Sequence, residues 1–351
     1  MTDPALVPAP NSDPSDQAAL DRSAAAFRAG LAALREEIGL HMVGQSHVVA
    51  AVLAAMLVEG HVLLEGPPGL GKTLLARTIA AATGLHFDRV QCTPDLMPAD
   101  VTGTTVLVQD DDGHRQLVFR PGPIFAQIVL IDEVNRAVPR TQSAMLEAMQ
   151  ERTVTVGNTT HELPRPFLVL ATQNPTGDEG TYRLPEAQRD RFLVQVDIGQ
   201  PSAKVLQIML DRTTGATLPP PRCRLSSDFL MHASMLVRRV FVSAHLRRWV
   251  ADLVVACDRF GERPLDGVAD QLDLAPGPRA GQALLAMAQV GALSEGRGAI
   301  GRKHIQQVAA VCLRHRMQIS PGAAAAGLDT NALVDRLLQG VAVPTPTGVA
   351  Q

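Results

Sequence analysis

The chain has 351 residues, 46% of them hydrophobic, and a formal net charge of −3 from 32 Lys and Arg against 35 Asp and Glu. That length suits two domains or one large one, and the apolar content is ample for a core. The charge balance gives no reason to expect a nucleic-acid or anionic-membrane partner.

Met1 to Asp16 carries prolines and aspartates but no basic residue and no long apolar run, so it does not read as a signal peptide. Residues 1–22 are expected to be a disordered tail. Leu31 to Ile38 reads as helical and charged. Val43-Gly44-Gln45 turns the chain into an apolar helix, Ser46–Val58, whose longest apolar run is too short to span a bilayer. Val62–Glu65 is of strand type and Leu74–Ala80 of helix type, and between them lies Gly66-Pro67-Pro68-Gly69-Leu70-Gly71-Lys72-Thr73. This stretch fits G-x-x-x-x-G-K-[ST] in the strand–loop–helix setting that the motif needs. Its glycines let several backbone N–H groups converge on one spot, and the helix N-terminus adds positive potential. Lys72 can then reach the β- and γ-phosphates of a nucleotide, and Thr73 can bind Mg²⁺ through its hydroxyl. The chain has only Lys72, Lys204 and Lys303 as lysines, which makes a chance match improbable.

Asp88–Cys92 is a second strand candidate. Thr104–Val108 and Gln116–Phe119 flank Asp110-Asp111-Asp112-Gly113, a hairpin signal. Ile128–Ile131 is a continuous apolar run ending in Asp132-Glu133, the pattern of a strand buried on both faces. Asp132 would hold Mg²⁺ and Glu133 would orient and deprotonate an attacking water. Thr141–Arg152 reads as a helix whose Met145 and Met149 pack into the core. Thr153–Val156 and His161–Leu163 flank Gly157-Asn158, a second hairpin. Phe167–Ala171 is another apolar strand, followed by Thr172-Gln173-Asn174-Pro175, where Asn174 can position the same water. Strands alternating with helices indicate an α/β domain with a mainly parallel sheet, with its ligand at the carboxyl ends of the strands.

Composition changes near Gly199-Gln200-Pro201. Beyond it, Leu246, Trp249, Val250, Leu253 and Val254 share one helical face, and so do Ile305, Val308, Ala309 and Cys312, and Val334, Leu337, Leu338 and Val341. The expected division is an α/β nucleotide-binding domain over 23–200, a smaller all-α domain over 201–342 and a tail over 343–351. Gly322–Gly327, rich in alanine, suggests no mechanism. Cys92, Cys223, Cys257 and Cys312 form no C-x-x-C pair and read as reduced cysteines of a cytoplasmic protein.

The order of phosphate loop, hairpin, Asp-Glu strand, hairpin, Gln-Asn strand end and Asp-Arg-Phe resembles the AAA+ ATPases, and more closely the MoxR family. The matching stretches are GHVLLEGPPGLGKT (60–73), TPDLMPAD (93–100) with Thr102-Gly103-Thr104, FRPGPIF (119–125), DEVNRAVPRTQSAMLEAMQE (132–151) and LATQNPTGDEGTYRLPEAQRDRF (170–192). Pro278-Arg279-Ala280 and LRHRM (313–317) follow, so the resemblance covers about residues 35 to 345. Arg183, Arg189 and Gly277 depart from the usual family pattern.

The resemblance implies an AAA+ P-loop domain with hairpin insertions in helix 2 and before the sensor strand, then a helical lid. ATP and Mg²⁺ would be bound by Gly66, Pro67, Pro68, Gly69, Leu70, Gly71, Lys72, Thr73 and Leu74, with Asp132 sharing the metal. Val43, Gly44 and Gln45 would line the adenine pocket. Asn174 would be the polar sensor of the γ-phosphate, Arg279 the second sensor, and Arg191 the arginine finger in a neighbouring subunit's site. Arg189 is a rival for the finger, and Arg136 is a further interface candidate. The implied activity is that of an ATP-hydrolysing, chaperone-like remodeller of partner proteins, acting as a homo-oligomeric ring, a hexamer in this family. A von Willebrand factor A-type protein is one kind of client, and the two hairpins would touch it. A nucleic-acid-dependent AAA+ motor is the alternative, against which three aspartates at the first hairpin tip would face phosphates with like charge.

Overall fold

A computed structural model describes residues 14–109, 114–174, 182, 184–214 and 219–345. The chain begins with α1 (Pro14–His41) and α2 (Ser46–Leu57), then β1 (Val62–Glu65), α3 (Lys72–Thr83) and β2 (Phe87–Gln91). A short α4 (Pro98–Thr102) leads into the hairpin β3 (Gly103–Gln109) and β4 (Arg115–Pro121). Next come β5 (Ile128–Asp132), α5 (Pro139–Glu151), the hairpin β6 (Thr153–Val156) and β7 (Thr159–Glu162), β8 (Leu168–Gln173), α6 (Glu186–Arg189) and β9 (Val194–Asp197). The remainder is α7 (Ala203–Thr213), α8 (Ser227–Arg238), α9 (Ala244–Val255), β10 (Leu272–Leu274), α10 (Pro278–Ser294), α11 (Arg302–Leu313), β11 (Gln318–Ile319), α12 (Pro321–Ala325) and α13 (Thr330–Gly340).

Two compact units emerge. One holds Ala33–Phe192 and Val196–Met231, and the other holds the described residues up to Ala32, Leu193–Gln195 and those from His232 onward. The first unit is built on a sheet of order β2-β5-β8-β1-β9, with β2–β5, β5–β8 and β1–β8 all parallel. β5 has neighbours on both sides, and Ile128–Ile131 are at most 1% exposed, as its unbroken apolar run requires. Met145 and Met149 of α5 pack under the sheet with Val129, Ile131, Val169 and Ala171. Both hairpins form as expected. Phe119 of β4 stacks on His161 of β7, ring centroids 4.0 Å apart, which joins one hairpin to the other. The Asp110–Gly113 tip lies outside the described residues.

Three expectations shift. The tail drawn to residue 22 gives way to helix from Pro14, because proline fits the first helical position, where its missing N–H costs nothing. Residues 203–231, read with the helical domain, fall in the sheet-bearing unit. There Arg224 pairs with buried Glu37 at 2.6 Å, and its N–H donates to the Ala82 carbonyl at 2.7 Å. The second unit, in its described residues from His232 onward, is mainly helical, with one ribbon in which β10 and β11 pair antiparallel and a single bridge between Phe241 and Ala299. Its helices bury the faces expected of them: Leu246, Trp249, Val250 and Leu253 on α9, and Ile305, Ala309 and Cys312 on α11. The alanine-rich stretch is mostly α12, whose N-terminus Ser320 caps. Of the expected 343–351 tail, residues 346–351 lie outside the described residues. All four cysteines are free, and burial pushes the Cys92, Cys257 and Cys312 thiols up to about 12.

His61, just before β1, carries a pH dependence. It is 5% exposed, its Nδ1 accepts the Val169 N–H at 3.0 Å, and its Nε2–H donates to the Met149 carbonyl at 3.0 Å. An accepting Nδ1 has no room for a proton, and burial, helped by the nearby Arg152 charge, holds the ring down to about 4 from 6.5. The unfolded chain therefore takes up this proton first, so stability is full above pH 6.5 and falls as pH drops towards 4. The expected loss is about 3 kcal/mol. Urea midpoints between pH 7.5 and 4 check this. A His61→Gln variant, whose amide can serve both contacts, is expected to lose that part of the slope.

Candidate functional site

The phosphate loop joins β1 to α3 at the carboxyl edge of the sheet. Gly69 and Gly71 sit at φ 82° and 85°, left-handed positions that turn successive N–H groups inward into an anion-binding nest ahead of the α3 N-terminus. Lys72 starts α3 and turns back to donate to the Gly66 carbonyl. Burial draws its ammonium below the ordinary lysine value, and the charges of Asp132, Glu133 and Glu65 oppose that. The loop opens on a chamber of about 330 Å³ lined by Pro68, Gly69, Gly71, Lys72, Thr73, Arg89, Gln91, Asp132, Glu133, Thr172 and Asn174. The strand order accounts for this convergence. β2, β5 and β8 are adjacent and parallel, so Gln91, Asp132 and Thr172 all arrive at the same edge.

Within the chamber every acidic oxygen with an observed contact is tied by a specific donor. Thr172 Oγ1 donates to Asp132 Oδ1 at 2.6 Å and accepts the Glu133 N–H at 2.8 Å, so one hydroxyl fixes both acidic residues. Arg89 Nη2 reaches Asp132 Oδ2 at 2.7 Å. Glu133 Oε2 accepts from Arg136 at 3.0 Å and from Gln91 Nε2 at 3.4 Å. Glu133 itself sits at φ 54°, a left-handed conformation unusual for a residue with a side chain.

The Thr73 hydroxyl and the Asp132 carboxylate share the chamber, an all-oxygen pair suited to a hard cation that completes its shell with water and substrate phosphates. Among the described residues no group of three or more His, Cys, Asp and Glu makes an all-protein metal cage. These donors fit Mg²⁺ carried in with a nucleotide.

A second cavity, about 720 Å³, also borders the loop, at Gly69, Leu70 and Gly71. Val43, Gln45, Leu70 and Leu74 line it, with Met42, Leu206, Met209 and Arg212. Gln45 Nε2 donates to the Leu70 carbonyl at 2.9 Å and so ties the entry to α2 to the phosphate loop. Gly44 does not line this cavity. A Cβ there would stand 2.4 Å from Val205 Cγ1, so its smallness admits the close approach of α7. Arg212 donates to the Leu40 carbonyl at 2.6 Å and closes the C-terminal end of α1. An apolar cavity beside an anion nest suits a base beside its phosphates.

Arg191 follows α6, its N–H on the Gln188 carbonyl, and it is not among the residues lining the phosphate chamber of its own chain. Arg189 closes α6. Arg279 is the second residue of α10, in the other unit. Residues 175–181 and Arg183 lie outside the described residues. Arg89, Gln91 and Thr172 were not anticipated, since nothing in their local sequence marks them.

The profile of the ATPase family associated with various cellular activities (AAA) matches residues 61–194, and that of the AAA lid domain matches residues 267–337. Chaperone MoxR1 of Mycobacterium tuberculosis is 38% identical over 315 residues, 90% of this chain and 82% of the relative. Protein MoxR of Paracoccus denitrificans is 31% identical over 316 residues, 85% of this chain and 90% of the relative. A crystal structure of a candidate ATPase from Cytophaga hutchinsonii superposes with a TM-score of 0.87 at 33% identity, covering 94% of this chain and 99% of that one. With relatives of this likeness along nearly their whole length, and a loop, carboxylate pair and sheet order suited to one phosphate chamber, the chain belongs to the MoxR family of AAA+ ATPases and hydrolyses ATP.

Proposed function

We propose that the chain is a chaperone-like ATPase that spends ATP·Mg²⁺ hydrolysis on remodelling or assembling partner proteins. The observation that carries the reading is the phosphate chamber, where loop, base candidate and sensor amide converge. The proposed roles are these. The triphosphate lies on Gly66–Thr73, with Lys72 on the β- and γ-phosphates. Mg²⁺, which would neutralise developing charge, is held by Thr73 and Asp132. Glu133 deprotonates the water, Asn174 senses the γ-phosphate, and Val43, Gln45 and Leu74 hold the adenine. Arg279 serves as second sensor and Arg191 as finger in the neighbouring subunit of a homo-oligomeric ring, a hexamer, in the cytoplasm.

The chaperone name of the Mycobacterium tuberculosis relative supports the protein-directed reading. So do the hairpins, where Leu107 and Leu117 are cross-strand partners yet 59% and 72% exposed, an apolar pair suited to a protein client. A von Willebrand factor A-type protein is the proposed client. No helix among the described residues is long and apolar enough to cross a membrane. No observation favours a nucleic-acid motor, and the net charge of −3 supplies no electrostatic drive to a phosphate backbone.

Lys72→Ala is expected to abolish binding of ATP·Mg²⁺, since the lysine is the fixed cation of the phosphate nest. Calorimetric titration checks this. Unchanged affinity would place the triphosphate elsewhere.

A further inference from the structure

Among the described residues lining the phosphate chamber, two carry positive charge, Lys72 and Arg89. Lys72 belongs to the loop. Arg89 comes from the edge strand β2, whose register sets Arg89 opposite Leu130 and Gln91 opposite Asp132. Arg89, Gln91 and Asp132 therefore project from one face of the sheet, while Val90 between them is buried on the other.

An ion pair across an edge strand is ordinarily worth little when exposed, and the Arg89 side chain is 39% exposed. Its location is what sets it apart. Asp132 Oδ1 already accepts from Thr172 and Oδ2 from Arg89, so a divalent cation or a metal-bound water that reaches Oδ2 meets Arg89 there. A divalent cation and Arg89 compete for that oxygen. A guanidinium cannot shed its charge, so once displaced it turns to another anion or to solvent. Beside Glu133, which Arg136 and Gln91 already contact, the chamber then contains a new anion, the terminal phosphate.

We propose that Arg89 is a phosphate ligand acting within its own subunit. Paired with Asp132 as seen here, it crosses to the γ-phosphate when a divalent cation takes that carboxylate, and so distinguishes ATP from ADP. The proposal rests on the reading that Mg²⁺ binds at Asp132 and the triphosphate on Gly66–Thr73. ADP offers no γ-phosphate, so with ADP·Mg²⁺ the displaced arginine has nothing to cross to and is left to solvent.

The test is direct titration of ATP and ADP, with Mg²⁺ and with EDTA, into the full chain carrying Glu133→Gln so that ATP persists. Adding Arg89→Ala is expected to weaken ATP·Mg²⁺ about tenfold, the scale of one charge-assisted hydrogen bond in a partly solvated site. ADP·Mg²⁺ affinity is expected to stay within about twofold, which also shows that the variant folds. Arg89→Lys, which keeps the charge but not the fork, is expected to recover part of the loss. Equal weakening of both nucleotides would make Arg89 a structural prop of Asp132 and overturn the proposal. So would no change for either. If the parent chain binds ATP equally well in Mg²⁺ and in EDTA, the metal reading itself fails and the proposal falls with it. That outcome is distinct, because it appears before Arg89 is altered.

Discussion

Glu133→Gln is expected to bind ATP normally and to hydrolyse it at least about a hundredfold more slowly, the usual scale for losing a general base. The amide matches the carboxylate in shape, so it can keep one neighbour at Oε2 but cannot take a proton from water. The local backbone supports the assignment. Glu133 is held at φ 54°, which costs on the order of 1 kcal/mol for a residue with a side chain. Its N–H is anchored to Thr172 Oγ1, and its carboxylate is steered by Arg136 and Gln91. Strain kept by that many contacts points to a side chain whose direction matters. Single-turnover hydrolysis separates the chemical step from nucleotide exchange. Near-normal turnover would mean that another group activates the water. The same variant, loaded with ATP and used for affinity capture, is expected to retain a client that releases on exchange into ADP.

What could be read in the sequence was local. Gly66–Thr73 carries its own loop chemistry, and Ile128–Glu133 carries both its burial and its carboxylates within six residues, so each is legible without knowing the neighbours. Arg89 and Thr172 were invisible for the opposite reason. Their partner, Asp132, lies 43 and 40 positions away, and only the strand order β2-β5-β8 brings the three together. The same applies to the cavity wall supplied by Leu206 and Met209. A helix beginning at Ala203 looks like any other amphipathic helix until Gly44 is seen to have room for nothing but Val205. The misplaced boundary near residue 200 follows from long-range pairing too, since Glu37 and Arg224 are 187 positions apart. At the N-terminus, prolines and aspartates read as a tail, yet Pro14 stands where a helix can begin.

Arg191→Ala is expected to lower hydrolysis by about 10³ while leaving ATP binding in place, the scale for losing an arginine finger in phosphate-loop enzymes. Arg191 does not line the phosphate chamber of its own chain, where Lys72, Asp132, Glu133 and Asn174 stand together. A single subunit then has loop, metal carboxylate and base, but lacks this cation for the charge that spreads over the transferring phosphoryl group. If the proposed ring supplies it from the next subunit, activity must depend on assembly. Specific activity is expected to rise with protein concentration across the range in which subunits associate, followed by light scattering on the same samples. Mixing gives the sharper result. Arg191→Ala subunits keep an intact phosphate loop, and Lys72→Ala subunits keep an intact finger, so interfaces of one order pair a working loop with a working finger. Each variant alone is expected to be nearly inactive, and the mixture to regain a measurable fraction. Should mixed rings form and regain nothing, a graded titration of each variant into the unaltered chain separates two causes. A linear fall shows that subunits act independently and that Arg191 is not the finger. A steep fall shows that one defective subunit stops the ring. Activity per subunit that stays constant down to a proven monomer would refute the action of Arg191 in a neighbouring site, because a lone subunit would then have every group it needs.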